Sequence, residues 1–424
     1  MGDILFDQAR LLDPASGTDI IGSLLVRDGK ILDFGGNLGR PDGAEVIDGR
    51  DLVLVPGLVD MRATLGEPGY EYRETIKSAA RAAASSGITS LAVLPDGKPA
   101  TDDPALARLL RARGDETGAI SIYPYGALTR GCAGEEMAEI GLLHEAGAVA
   151  FTDGRKALAD SRLMRRALSY ARGFGAKVVQ HPEDPSLAEG GSATEGELAT
   201  RLGLPGIPAA AEAIMVARDI SLARLTGGAI HFAHVSTAEA IELIRRAKHD
   251  GADVTCDTAP PYFDLNEQAI GDFRTYAKLS PPLRPESDRR AVVAGLADGT
   301  IDAIASDHQP RDADDKRYPF AQASAGGAGL ATLLGVTLAQ VHNGALTLTA
   351  AIALLTHRPA AVLGLEAGRL AIGAAADLCL FHPQSIWKVE AGKLPGKAQN
   401  TPFDGRALEG RVIGTWKRGQ RVFG

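Results

Sequence analysis

Cysteine is almost absent from this chain of 424 residues: Cys132, Cys256 and Cys379 stand far apart, odd in number and without CxxC spacing. That excludes a disulfide framework and a thiolate zinc finger, and it fits a reducing cytoplasm. A basic surplus is also missing. Lysine and arginine total 45 against 53 acids, a formal charge of −8, which argues against a binder of nucleic acid or anionic membrane. No window reaches the ~18 uncharged apolar residues of a membrane span. The opening MGDILFDQAR lacks the basic and apolar regions of a secretory signal. Low-complexity tracts and internal repeats are absent too. What is present is enough to bury a large core: 45% of residues are apolar and 23% charged. The length suits two or three ordinary domains, or one barrel of roughly 250 residues with a satellite.

The first fifty-odd residues read as hairpins, with strands at Asp3–Phe6, Gly22–Arg27, Lys30–Phe34 and Leu52–Val55 and the turn signal Asp28-Gly29. From residue 56 the rhythm becomes strand, loop, helix. Strands are predicted at Ser90–Leu94, Ser121–Tyr125, Ala148–Thr152, Lys177–Gln180, Ala229–Ala233, Val254–Asp257 and Ile301–Ser306. Helices are predicted at Glu74–Ser86, Pro104–Gly114, Ser161–Phe174, Ala209–Thr226 and Thr237–Ala247. About eight such steps spell an α/β chain with a (β/α)8 TIM barrel over residues 56–365. Strand character returns at Gly368–Ile372, Asp377–Phe381, Arg411–Lys417 and Gln420–Phe423, with a polar loop over Trp387–Gly405. Residues 1–55 and 366–424 are therefore expected to pair into one small flanking β domain formed by both termini.

Barrel sites lie where strands end at their C-terminal side, so the residues just after each apolar run carry the information. They read PGLVDM and EPG within 56–69, FTDG at 151–154, HPED at 181–184, HFAHVST at 231–237, PPLR at 281–284 and DGTIDAIASDHQP at 298–310. With GRLAIGAAADLCLF at 368–381, these blocks resemble the dihydroorotases of the amidohydrolase superfamily, in order and nearly end to end. The resemblance implies hydrolysis or closure of a cyclic amide by water activated on one or two zinc ions, with a carboxylate moving the proton.

The same resemblance exposes what is missing. The family's HxH on the first barrel strand falls on Arg62 and Thr64. A guanidinium is a permanent cation and a neutral hydroxyl is a poor zinc ligand. The arginine that grips a substrate carboxylate falls on Gly66, the asparagine of the PN turn on Asp96, and the PHH segment on Pro260-Pro261-Tyr262. The later positions persist. Asp153, His181 and His234 match metal ligands, and Asp307 matches the carboxylate that touches metal and moves the proton. Together Asp153, His181, His234 and Asp307 could hold one zinc ion, with Asp307 catalytic if the chain is active.

The main expectation is a catalytically inactive chain with no cofactor, resembling the non-catalytic dihydroorotase-like partner of bacterial aspartate carbamoyltransferase in pyrimidine biosynthesis. The alternative is an active, divergent dihydroorotase or other cyclic amidohydrolase using one metal ion. A homo-oligomer is expected in either case. Arg311, next to Asp307-His308-Gln309-Pro310, reads first as a solvated loop charge, with a take-over of anion binding as the alternative. His231 reads as a packed residue on the strand face opposite His234, and His144, His249, His342, His357 and His382 as surface or structural. Cys256 reads as core, and Gly326, Gly327 and Gly329 as a close backbone passage at the barrel mouth.

Overall fold

A computed structural model describes residues 2–424. Both chain ends build one eight-stranded sheet. Its order runs Gln420–Phe423, Ala407–Lys417, Leu378–Lys388, Val53–Pro56, Ile4–Asp13, Thr18–Arg27, Lys30–Gly35, with Glu45–Asp48 also on Ile4–Asp13. The seam between the ends is antiparallel, Val55 opposite Cys379. Asp28 and Gly29 both take positive φ, 49° and 75°, which matches the right-handed twist of the hairpin they join. Beneath the sheet, Phe6 meets Trp416 edge-on at 4.8 Å, among Leu11, Leu24, Leu54, Leu378 and Leu380.

Gly368–Ile372 forms no strand. Gly368 and Gly373 both sit at positive φ, 72° and 83°, which turns the chain out of extended geometry, and Ile372 is exposed. Only Ala375 bridges to Lys30. The predicted loop at 387–405 is partly ordered. The strand runs on to Lys388, and the following segment reaches the barrel mouth, where Asn400 Nδ2 donates to the carbonyls of Gln309 and Gly326.

The barrel strands are Leu58–Ala63, Ile88–Val93, Ser121–Pro124 continuing in Gly126–Ala127, Phe151–Thr152, Val178–Gln180, Ile230–Phe232, Val254–Thr258 and Ala303–Ile304. All their pairings are parallel. The eighth closes on the first through the Ala63–His308 bridge and the Thr64 N–H to His308 carbonyl bond of 2.8 Å. Side-chain caps start the helices that return the chain: Thr75 with Ser78 for Ile76–Ser85, Asp160 for Ser161–Arg172, Thr237 for Ala238–His249. These helices bury alanine-, leucine- and isoleucine-rich faces against the strands. Among the described residues no helix is long and apolar enough to cross a membrane.

Candidate functional site

The strands bring Arg62, Thr64, Asp153, His181, His234 and Asp307 to one end of the barrel. Arg62 lies on the first strand with its side chain 1% exposed. Its Nε donates to Asp307 Oδ1 at 3.2 Å and its Nη2 to the Gly154 carbonyl at 2.9 Å. Asp307 follows the eighth strand and is held at φ 44°. Its Oδ1 also lies 3.6 Å from Arg155 Nη2 and 3.6 Å from His234 Nδ1. Asp307 is therefore paired with a guanidinium from this chain's own first strand, where the family pattern places a histidine ligand.

Asp153, after the fourth strand, is turned toward the third. Its Oδ1 accepts the backbone N–H groups of Leu128 and Thr129 at 3.1 and 2.8 Å, and its Oδ2 accepts the Thr129 hydroxyl at 2.5 Å. Burial pushes its pKa up despite those bonds. Both oxygens are used to hold a loop. Thr64 donates its hydroxyl to Asp96 Oδ2 at 2.8 Å and accepts from Arg155 Nε at 3.3 Å.

The fifth and sixth strands keep their imidazoles, whereas the seventh has lost its PHH to Pro260-Pro261-Tyr262. His181 Nδ1 and His234 Nε2 lie 2.6 Å apart. Burial, followed by the Arg62, His181 and Arg155 charges, pushes the His234 pKa well below its ordinary value, so this ring is neutral at pH 7. Ser280 Oγ donates to Glu183 Oε2 at 3.2 Å and lies 3.4 Å from His181 Nε2, which itself faces Glu183 Oε2 at 3.6 Å, while His234 Nδ1 faces Asp307 at 3.6 Å. His231 is buried with Nε2 2.9 Å from Asp257 and Nδ1 2.8 Å from Thr255, a packed residue as its place on the strand predicts. Tyr262 donates its hydroxyl to the Pro281 carbonyl at 3.0 Å.

These residues do not fit a metal ion. Among the described residues no group of three His, Cys, Asp or Glu side chains is placed to hold one. Asp153, His181, His234 and Asp307 therefore do not assemble into the single-zinc set expected of them. The physical reasons are a cation already on Asp307, a carboxylate turned into a loop cap, and two imidazoles turned onto each other at 2.6 Å.

The clamp position is closed as well. A Cβ at Gly66 would overlap the carbonyl oxygens of Tyr70 and Glu74, because the segment after Gly66 folds back so that Tyr70 N–H reaches the Gly66 carbonyl. Arg311 corrects its reading as a solvated charge. Its Nε donates to the Ala325 carbonyl at 2.9 Å, and burial lowers its pKa. It lines a cavity of about 340 Å³ together with Thr64, Tyr70, Arg73, Asp96 and Arg155.

Two family models match the chain, one described as Dihydro-orotase-like over residues 51–240 and one as Amidohydrolase family over residues 284–423. The dihydroorotase of Pelobacter propionicus is 46% identical over 421 residues, covering 99% of each chain. The chain belongs to the dihydroorotase family. Another relative, the dihydroorotase of Geobacter sulfurreducens, is 45% identical over 97% of each chain. The fold matches the L-hydantoinase (dihydropyrimidinase) of Arthrobacter aurescens at TM-score 0.88 and 24% identity, covering 100% of this chain and 96% of that one. It matches the dihydropyrimidinase of Brevibacillus agri at TM-score 0.84 and 23% identity, covering 99% and 95%.

Against the dihydroorotase pattern, Arg155 and Arg73 are the site residues that sequence reasoning missed. Arg155 directly follows the FTDG block, and that adjacency was the available signal. Arg73 had none, because only the folded 66–74 segment brings it to the mouth.

Proposed function

We propose that this chain serves pyrimidine biosynthesis as a dihydroorotase-family protein that does not itself hydrolyse the cyclic amide. Its role is structural, as a partner of aspartate carbamoyltransferase. One observation carries the first part: the Arg62 guanidinium, 1% exposed, sits on Asp307 at 3.2 Å. A buried cation there repels Zn²⁺ and occupies the carboxylate that would have to move the proton. Removing that cation to admit a metal would break a buried ion pair, a cost of about 3–5 kcal/mol. The carbamoyltransferase partnership rests on the resemblance, since a barrel without chemistry persists through its surface.

A second reading is favoured by a specific finding. Relatives 42–46% identical over nearly the whole chain carry the name dihydroorotase, a name that fits a working, metal-dependent amidohydrolase better than a structural subunit. Under that reading Arg62 leaves Asp307 when metal arrives. Turnover of dihydroorotate by the purified protein, with and without added zinc, separates the two. The first reading expects no turnover in either condition, together with co-elution of this chain with aspartate carbamoyltransferase from the same organism. Zinc-stimulated turnover that Asp307→Ala abolishes would establish the second.

A further inference from the structure

The cavity of about 340 Å³ beside the mouth carries charge that neither reading uses. Its walls include four cations, Arg73, Arg155, Lys156 and Arg311, and two carboxylates, Asp96 and Asp153. One carboxylate is fully committed and the other half so, the Asp96 Oδ1 being buried with no hydrogen-bond partner. Asp153 spends both oxygens on Thr129 and Leu128, and Asp96 holds the Thr64 hydroxyl with one oxygen. The cations are held but not satisfied. Arg73 lies against the rings of Tyr70 and Tyr72 at 4.9 and 5.3 Å and 3.3 Å from Asp315, and its Nε is buried with no hydrogen-bond partner. Arg155 is fixed by Thr64 and by the carboxylates of Asp96 and Asp307 at 3.7 and 3.6 Å, and its Nη2 is likewise buried without a hydrogen bond.

Unmade hydrogen bonds on buried charged donors are costly, and an ionised acceptor satisfies them best. Burial works against the charge on both Arg155 and Arg311; Asp307 and Asp96 favour the charge on Arg155 while Arg62 and Arg311 oppose it, and Arg73 opposes the charge on Arg311 while Asp315 and Asp96 favour it. All of these guanidinium groups stay cationic at neutral pH. Because the protein already fixes their geometry, an incoming anion meets an ordered set of donors and loses little to side-chain ordering.

We propose that this cavity is an oxyanion site, in which a carboxylate or phosphate group docks on Arg155 and Arg73, with Arg311 and Lys156 supplying the remaining field. The arginine that the family pattern places at position 66 has no room here, so these cations are this chain's own solution. The inference rests on the reading of the mouth as free of metal, and it makes the barrel a holder of a small anion.

Titration calorimetry on the full chain, with inorganic phosphate and with succinate, tests it, using succinamide as the uncharged control. At least one anion is expected to bind while succinamide does not, and whichever binds tells phosphate from carboxylate. Arg73→Gln, at a side chain 22% exposed, should weaken that binding about tenfold, equivalent to one charged hydrogen bond. Arg155→Lys should weaken it less than Arg155→Gln, with thermal melts confirming that each variant is folded. Absence of binding by both anions, or binding unchanged in Arg73→Gln and Arg155→Gln, overturns the site. Dihydroorotate turnover measured on the same preparations reads the other claim separately: zinc-stimulated turnover with anion binding intact overturns the proposed function alone.

Discussion

The two halves of the barrel mouth have diverged differently. The half supplied by the fifth and sixth strands keeps His181, His231 and His234, and hydrogen bonds of 2.6–2.9 Å join them to each other and to Asp257 of the seventh strand, whose own PHH is lost. The half supplied by the first four strands has Arg62, Thr64, Gly66 and Asp96 where the family pattern differs, and keeps Asp153 only as a loop cap, with ion pairs and hydrogen bonds joining the polar groups. Asp307 lies between them, 3.2 Å from Arg62 and 3.6 Å from His234. The retained half shows that imidazoles persist where they also support packing. The altered half shows what replaces a metal charge once ligands are gone: a guanidinium on a stem long enough to fill the space.

Breaking the altered half should cost the most. Arg62→Met leaves Asp307 with the 3.6 Å contacts to Arg155 and His234 and is expected to destabilise the protein by about 3–5 kcal/mol, read as a large loss in melting temperature. Gly66→Ala forces a Cβ into the backbone at Tyr70 and Glu74. About 1–3 kcal/mol should be lost in urea unfolding, and Gly66→Arg should fail to restore a clamp. Breaking the retained half should cost less. His181→Gln removes one hydrogen bond to His234, so about 1 kcal/mol is expected. A cost equal to that of Arg62→Met would end the distinction between the halves.

The retained half also has a pH signature. Asp219 supports Gln180, the residue before His181, accepting from its Nε2 at 3.0 Å. Burial pushes the Asp219 carboxyl up to about 6 from 3.8. Between those values the native protein holds a proton that the unfolded chain has released. The contribution of this group to stability is therefore full below about 3.8 and is lost as pH rises through about 6. Urea unfolding from pH 4 to 7 should show that fall on top of a like one from Asp60 of the first strand, which burial also pushes up to about 6, and Asp219→Asn should remove its own share and leave that of Asp60.

Much of this was legible in the sequence. Strand-end blocks in order located the barrel, and hairpin signals at both ends located the sheet, because both are written locally. The losses at 62, 64 and 66 were legible for the same reason. What was not legible depends on direction and on distant partners. The turn of Asp153 toward Thr129 follows from how the third and fourth strand loops pack. The burial of Arg311 follows from the 325–327 passage above it. Gly368–Ile372 carried an apolar pattern that two positive-φ glycines annul.

The central claim is that Arg62 stands where a metal charge would be. Metal analysis after equilibration with excess zinc and removal of free ion tests it directly, on the wild type and on Arg62→His with Thr64→His. The account predicts no retained zinc in the wild type and a gain of zinc in the double variant. Stoichiometric zinc in the wild type would contradict it.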